Sequence, residues 1–424
     1  MSALGLALYR GVTRLAGPLA GPLLRRRARA GKEDPYRLDE RRGIAGAPRP
    51  DGELVWLHAA SVGESLIALS LAEALCEVRP RTHCLITSGT LTSAALIARR
   101  GAARVIHQFP PVDRPGWARR FIDHWRPDLA VFTESELWPN LIEAAHASGA
   151  KLALVNARLN EASLRGWRRW PGTARTVLSR FDWIGASDTR TAHGLTALAG
   201  RDVARLGNIK LEIAPPDPDP ESLAQARAAL AGRPVFVAAS THSGEEAILA
   251  EAHRQILKTR PDALMILAPR HPERAGEAEA ALVNAGLSHV LRSNGDMPDP
   301  RTQVWLADTL GEMGLWFALA PAAVICGSFI DGIGGHNPIE ATRGGAAVVS
   351  GPHTASFDDV FAAYDRETAR TMCSDAAETA RAVLDIWAGN GPSVAAAERA
   401  LANLSGGAMA LTLEALTGLL EARP

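Results

Sequence analysis

The chain has 424 residues, 47% hydrophobic and 22% charged, and 46 basic side chains balance 46 acidic ones. That length exceeds one small core and implies two domains, while the composition excludes extensive disorder. Cys76, Cys84, Cys326 and Cys373 fall in or near apolar runs with no C-x-x-C pair, which argues against a disulfide framework or zinc site and fits a reducing, cytoplasmic setting.

The opening stretch, MSALGLALYRGVTRLAGPLAGPLLRRRARA, is apolar but interrupted by Arg10, Arg14, Pro18 and Pro22. A secretory signal carries its positive charges ahead of its apolar run, whereas here the arginine cluster follows it. The uninterrupted run is far short of the ~20 residues a spanning helix needs. Residues 1–42 are therefore expected to form a membrane-associating segment, with leucines at the acyl boundary and arginines on anionic headgroups. A true span and a helix packed on its own domain are the alternatives. Residues 1–32 carry seven positive charges and no acid, which leaves the remainder at −7.

From residue 53 the chain repeats a short apolar strand, a turn and an amphipathic helix. The predicted strands are 53–58, 83–88, 104–109, 129–134, 151–156 and 183–187. Such alternation implies a parallel, doubly wound sheet. The theme stops at residues 212–233, where Pro215, Pro216, Pro218 and Pro220 crowd together and make the best linker in the chain. It restarts with strands at 234–240, 263–269, 289–293, 302–307, 322–328 and 346–351. The expected architecture is α/β: a Rossmann-like domain over 43–211, the linker, and a second Rossmann-like domain over 234–424, with a cleft between them. The last helix is a candidate to pack back on the N-terminal domain.

Ligands of such sheets bind beyond the carboxyl ends of the strands. That rule selects Ser61–Glu64, Glu134–Glu136, Ser240–Ser243, Arg270-His271, Gly311-Glu312-Met313 and the glycine-rich segment 327–345. Ser61 and Glu64 have the spacing of a helix capping box, so on spacing alone Glu64 reads first as a cap, with a carboxylate at a cleft as the alternative. In Asn337-Pro338-Ile339-Glu340, Asn337 is the expected N-cap, with Pro338 at the first helical position and Glu340 at the third. A helix start behind glycines suits a phosphate, and another capping box is the plain alternative. Arg270 is placed for a phosphate or a surface ion pair, and Lys210 for a cleft or for solvent. Asp217-Pro218-Asp219 looks like a metal-binding D-x-D but sits in the linker, solvated. G-x-G-x-x-G after the first strand, H-E-x-x-H and G-x-S-x-G are all missing, which weakens a nicotinamide, zinc-protease or serine-hydrolase reading.

Taken together, LHAASVGES (57–65) and GGHNPIE (334–340) make the chain resemble the 3-deoxy-D-manno-octulosonic acid (Kdo) transferases, which load Kdo onto lipid A precursor. The resemblance runs over nearly the full length: Pro35-Tyr36-Arg37, TESELWPN (133–140), LVNARL (154–159), LGNIK (206–210), APRHPER (268–274), LGEMG (310–314) and GSF (327–329). It implies the GT-B fold and inverting transfer from CMP-Kdo at the cytoplasmic side of the inner membrane, in lipopolysaccharide biosynthesis. By position it implies Glu64 as general base, with Glu134 and Lys210 stabilising the transition state. It implies CMP held by Pro269, Arg270, Gly311, Glu312, Met313, Asn337, Pro338, Ile339 and Glu340.

Partners on this reading are CMP-Kdo, lipid A precursor and the membrane surface, with no nucleic acid and no cofactor. One phosphate at the anomeric carbon can be met by Arg270, Lys210 and backbone donors, so no metal is expected. Arg165, Arg168 and Arg169, interleaved with Trp167 and Trp170, suit lipid phosphates and the interface; a solvated basic loop is the alternative. The rival functions are a GT-B transferase using a UDP-sugar and a catalytically inactive membrane-surface binding protein.

Overall fold

The structure, a computed structural model, describes residues 2–100, 102–213 and 218–422. The chain divides into two compact units, Met1–Ile213 with Ser405–Pro424, and Ala214–Leu404.

The first unit is built on strands β1 (Leu54–Ala59), β2 (His83–Ser88), β3 (Val105–Gln108), β4 (Leu129–Thr133), β5 (Lys151–Ala157), β6 (Trp183–Ala186) and β7 (Ala204–Arg205). They pair in parallel in the order β3-β2-β1-β4-β5-β6-β7. Every residue of β1 is buried, so its alternation feeds two cores. Leu54 and Trp56 point into one layer with Phe121 and Phe132, and the Trp56 ring meets both edge-on at 4.9 and 5.2 Å. Val55, Leu57 and Ala59 face the other, with helix Val62–Val78 and helix Ala408–Glu421, which contributes Ala408, Leu416 and Leu420. Each of the Val and Leu side chains among them adds roughly 1.5–3 kcal/mol.

Helices Ser2–Leu15 and Gly17–Arg29 precede the sheet, and among the described residues no helix is long and apolar enough to cross a membrane. Tyr9 Oη donates to Asp113 Oδ2 at 2.8 Å. Asp113 in turn accepts the amides of Asn140 (3.2 Å) and Leu141 (2.9 Å), capping helix Pro139–Ala147, whose own Trp138 makes no cap. Leu8, Val12, Leu15, Leu19 and Leu23 remain exposed. From residue 33 onward the supposed membrane segment is fastened to the sheet edge: Arg41 binds Glu33 and the Gly89 carbonyl, and Glu40 accepts the Phe109 amide at 2.7 Å.

The second unit contains β8 (Val235–Thr241), β9 (Leu264–Pro269), β10 (His289–Leu291), β11 (Val304–Leu306), β12 (Ala322–Ile325), β13 (Ala347–Ser350) and β14 (Arg370–Met372), in the parallel order β10-β11-β9-β8-β12-β13-β14. The expected linker 212–233 is not free of structure: residues Pro220–Leu230 form a helix. Proline at the first helical position costs no hydrogen bond, and the Asp219 side chain accepts the Ser222 amide at 2.8 Å. Asp217 of the Asp-Pro-Asp motif lies outside the described residues. All four cysteines are free and buried.

Candidate active site

Strand order reverses between β1 and β4 in the first sheet and between β8 and β12 in the second. The loops leaving those strands flank the crevice that each reversal opens.

In the first unit, Ser61 is the N-cap of helix Val62–Val78, and its Oγ accepts the Glu64 amide at 3.3 Å. The Glu64 carboxylate, 7% exposed, completes the box. Oε1 accepts the Ser61 hydroxyl at 2.7 Å, and Oε2 accepts the Ala60 amide at 2.9 Å and the Thr133 hydroxyl at 3.3 Å. Capping and carboxylate roles thus fall on the same oxygens. The single Thr133 hydrogen lies nearer the His58 carbonyl, at 2.8 Å, so of about four carboxylate acceptor sites Ser61 and Ala60 take two, and the carboxylate keeps room for another donor.

Glu134 follows β4 in the left-handed region, φ 51°, a conformation that costs ~1–3 kcal/mol away from glycine. The turn carries its carboxylate to Lys210, with Nζ 2.6 Å from Oε1. Lys210 stands in the 3-10 turn Ile209–Leu211, and a Cβ built on Gly63 would lie 3.3 Å from its Nζ. The bare Gly63 therefore lets the ammonium reach the start of the Glu64 helix. Sequence reasoning left out Asn156 as a positioning residue. Also left-handed, at φ 49°, it accepts the Ile209 amide at 2.9 Å and donates to Asn208 Oδ1 at 3.1 Å and Glu134 Oε1 at 3.3 Å.

Glu136 adds a third carboxyl. Burial raises its pKa, a bond from Trp138 Nε1 lowers it, and the charges of Glu64 and Glu134 raise it further. Its Oε2 lies 3.8 Å from His58 Nε2. His58 is held neutral, its pKa pushed down to about 3 by burial and then by Arg41.

In the second unit the candidate residues gather on the loops after β8, β9, β11 and β12. Glu245, fully buried, accepts the amides of His242, Gly327, Ser328 and Phe329, pinning the loop after β8 to the loop after β12. The segment beyond β12 closes on itself, the Gly335 amide meeting the Gly327 carbonyl at 2.7 Å. The helix there starts later than the motif implied: it spans Ile339–Arg343 with Pro338, not Asn337, at the cap. Asn337 Oδ1 bonds the Ile339 amide two residues on (3.0 Å), and Nδ2 reaches Glu340 Oε1 at 3.3 Å. The Asn337 side chain thus forms an Asx turn, which leaves the helix about one turn long. Ile339 and Pro338 are buried and Glu340 is exposed at its surface. Protein packed around Glu340 raises its pKa, while Asn337 and the Arg270 charge lower it.

Pro269 ends β9, and the Arg270 amide bonds the Thr241 carbonyl at 3.0 Å, leaving the side chain exposed. After β11, Gly311 takes φ 83°, and the Glu312 carboxylate is engaged by neighbouring side chains. It holds Arg292, with Nη2 2.7 Å from Oε1, and accepts the Thr309 hydroxyl. Burial raises the Glu312 pKa, but those bonds outweigh it and the net direction is down. Glu312 therefore fixes the turn. Among the described residues no group of three or more His, Cys, Asp or Glu side chains is arranged to hold a metal ion.

Two parallel nucleotide-type sheets, each with charged side chains at its order reversal, define an α/β protein of the GT-B glycosyltransferase fold. A crystal structure of a glycosyltransferase from Rickettsia africae matches 88% of the chain and all of that protein with a TM-score of 0.58 at 12% identity. A sequence profile described as 3-Deoxy-D-manno-octulosonic-acid transferase (kdotransferase) matches residues 36–213. The 3-deoxy-D-manno-octulosonic acid transferase of Bordetella pertussis is 37% identical over 89% of this chain and 90% of its own length. A probable mitochondrial 3-deoxy-D-manno-octulosonic acid transferase of Arabidopsis thaliana is 34% identical over 85% of this chain and 82% of its own. The chain belongs to the Kdo transferase family: it is a glycosyltransferase that moves Kdo.

Proposed function

We propose that the chain transfers Kdo from CMP-Kdo to lipid A precursor with inversion, at the cytoplasmic face of the inner membrane, as a step of lipopolysaccharide core synthesis. The observation that carries this is the convergence of Glu64, Glu134 and Lys210 from three separate strand ends of the first unit.

Glu64 is the base. Its free acceptor site takes the hydroxyl proton of the acceptor sugar as that oxygen attacks the anomeric carbon and the bond to phosphate breaks, its electron pair leaving with CMP. Proton transfer concerted with attack suits a carboxylate that stays bound to Ala60 and Ser61 throughout. Lys210, held by Glu134, is a fixed positive charge beside the base and offsets charge as it develops. On the second unit, Pro269-Arg270, Gly311–Met313 and Asn337–Glu340 hold CMP. Arg270 supplies the charge there, since the Ile339–Arg343 turn is too short to offer much dipole.

Membrane attachment uses the exposed row Leu8, Val12, Leu15, Leu19 and Leu23, with Arg25, Arg26, Arg27 and Arg29 beyond it. The basic stretch, for which a solvated loop is the alternative, includes the helix Glu161–Arg168 and leads to exposed Trp170. Trp170 sits beside Gly5, where an added Cβ would approach its ring to 3.4 Å. Leucines, tryptophan and arginines therefore share one neighbourhood of the first unit, as an anionic interface requires.

The test is incubation of the purified protein with CMP-Kdo and tetra-acylated lipid A precursor, reading product masses. Mass gain by one or more Kdo units supports the reading. Thermal stabilisation by UDP and not CMP, with no mass gain, sinks it in favour of a UDP-sugar transferase.

A further inference from the structure

His242, leaving β8, and His336, 94 residues later beyond β12, meet with Nε2 to Nε2 at 2.7 Å. Their ring planes differ by 7° with centroids 5.0 Å apart, so the rings lie edge to edge along one N–H···N line. The backbone is shaped to this contact. Gly327 takes φ 70°, and a Cβ on it would come within 2.8 Å of the His336 ring.

Only one hydrogen fits between two nitrogens at that separation, so the pair has net charge 0 or +1 and never +2. When neutral, one ring has its hydrogen on Nε2 and a bare Nδ1, while the other donates from Nδ1. With one more proton, both Nδ1 atoms carry hydrogen. The pair then carries a positive charge, and that form complements an anion better than the neutral one.

The groups facing the pair keep it neutral in the absence of ligand. Burial lowers both rings, His336 to about 4. For His242 the charges of Glu245 and Glu246 oppose this while Arg274 and His271 add to it, and the net direction stays down. For His336 the other imidazoles and Arg270 lower it further. The His271 ring is 6.4 Å from His242. The nearby carboxylates are already engaged, Glu245 by four backbone amides and Glu246 by Thr241 and Arg274 at 3.0 and 3.1 Å. An anion arriving at Arg270 supplies the missing opposite charge, and one such charge within ~4–6 Å moves a titration by about 1–3 units toward the charged form.

We infer that His242 and His336 act as one proton-sharing unit that takes up a proton together with the donor phosphate bound at Arg270. This rests on the donor reading above. During transfer the breaking bond leaves its electron pair on the phosphate oxygen, taking CMP from one negative charge to two. The pair's proton stays on nitrogen, so the added charge meets a positive charge already in place.

The test is calorimetric titration of the full chain with the methyl ester of cytidine 5′-phosphate, a diester that does not itself titrate near neutrality. Measurement in buffers of different ionisation enthalpy, from pH 8 to 6, gives the protons bound. Wild type is expected to take up a fraction of one proton that rises as pH falls, and His242→Gln and His336→Gln are each expected to lose that uptake. The inference is overturned by zero uptake in wild type, which needs no variant, or by unchanged uptake in a folded variant. Failure of wild type to bind the ester at all overturns the donor reading and this inference with it.

Discussion

Asn156 fixes Asn208: its Nδ2 donates to Asn208 Oδ1 at 3.1 Å, while its Oδ1 accepts the next residue's amide, Ile209, at 2.9 Å. Both bonds brace the turn that carries Lys210, and the same Nδ2 touches Glu134 at 3.3 Å. Asn156→Asp keeps the acceptor but removes the donor and sets a second carboxylate against Glu134. Transfer is expected to fall by on the order of tenfold or more, with a stability loss of ~1–2 kcal/mol. Initial rates beside a urea titration check it.

Glu64→Gln retains one carbonyl oxygen for the cap but has no carboxylate to receive a proton. Loss of transfer of at least ~10²-fold is expected from the missing base, against a stability change of only ~1 kcal/mol from the weakened box. Full activity in that variant rules out the base role.

Gly327→Ala forces a side chain into φ 70° and against the His336 ring. The second unit is expected to lose at least ~1 kcal/mol. Cytidylate binding should weaken as the ring shifts, read by thermal melting with and without CMP.

Acid should destabilise the first unit through His58. Its folded pKa is about 3, against ~6.5 when unfolded. Between those values the unfolded chain binds a proton that the folded chain refuses, so stability falls as pH drops through the window. The loss is up to ~1.4 kcal/mol per pH unit. His58→Gln is expected to flatten that slope between pH 6.5 and 4, measured as the urea midpoint by tryptophan fluorescence.

Charge reversal at Arg165, Arg168 and Arg169 is expected to weaken flotation with anionic vesicles. At about 1 kcal/mol per basic residue near the surface, partitioning drops on the order of a hundredfold. Unchanged flotation removes that helix from the docking face.

Strands such as β1, with every residue apolar or buried, announce themselves in the sequence because a parallel sheet covers both faces. Ala204–Arg205 and Arg370–Met372 do not, because they are short edge strands with exposed or half-exposed side chains. Lys210 was reached only through its place at the end of the first domain, whereas the strand-end rule reached Glu64 and Glu134 for a physical reason, since strand order decides which loops meet. It did not reach the Asn156 clamp or the His242–His336 bond. Those depend on left-handed backbone and on loop closure between distant segments, and neither leaves a periodic signal. The start of the Ile339 helix was misplaced because Asn337 bonds two residues on rather than three, a choice that spacing does not encode.

Tyr9 holds Asp113, Thr13 accepts from Asn140 Nδ2 at 3.1 Å, and Asn140 opens the helix directly behind the Glu134–Trp138 loop. The first helix is thus a structural prop of the acidic loop and not a detachable tether. Trimming it to obtain a more soluble enzyme would slacken the chemistry as well as the grip on lipid, so a shortened protein should turn over poorly even on an acceptor stripped of its acyl chains.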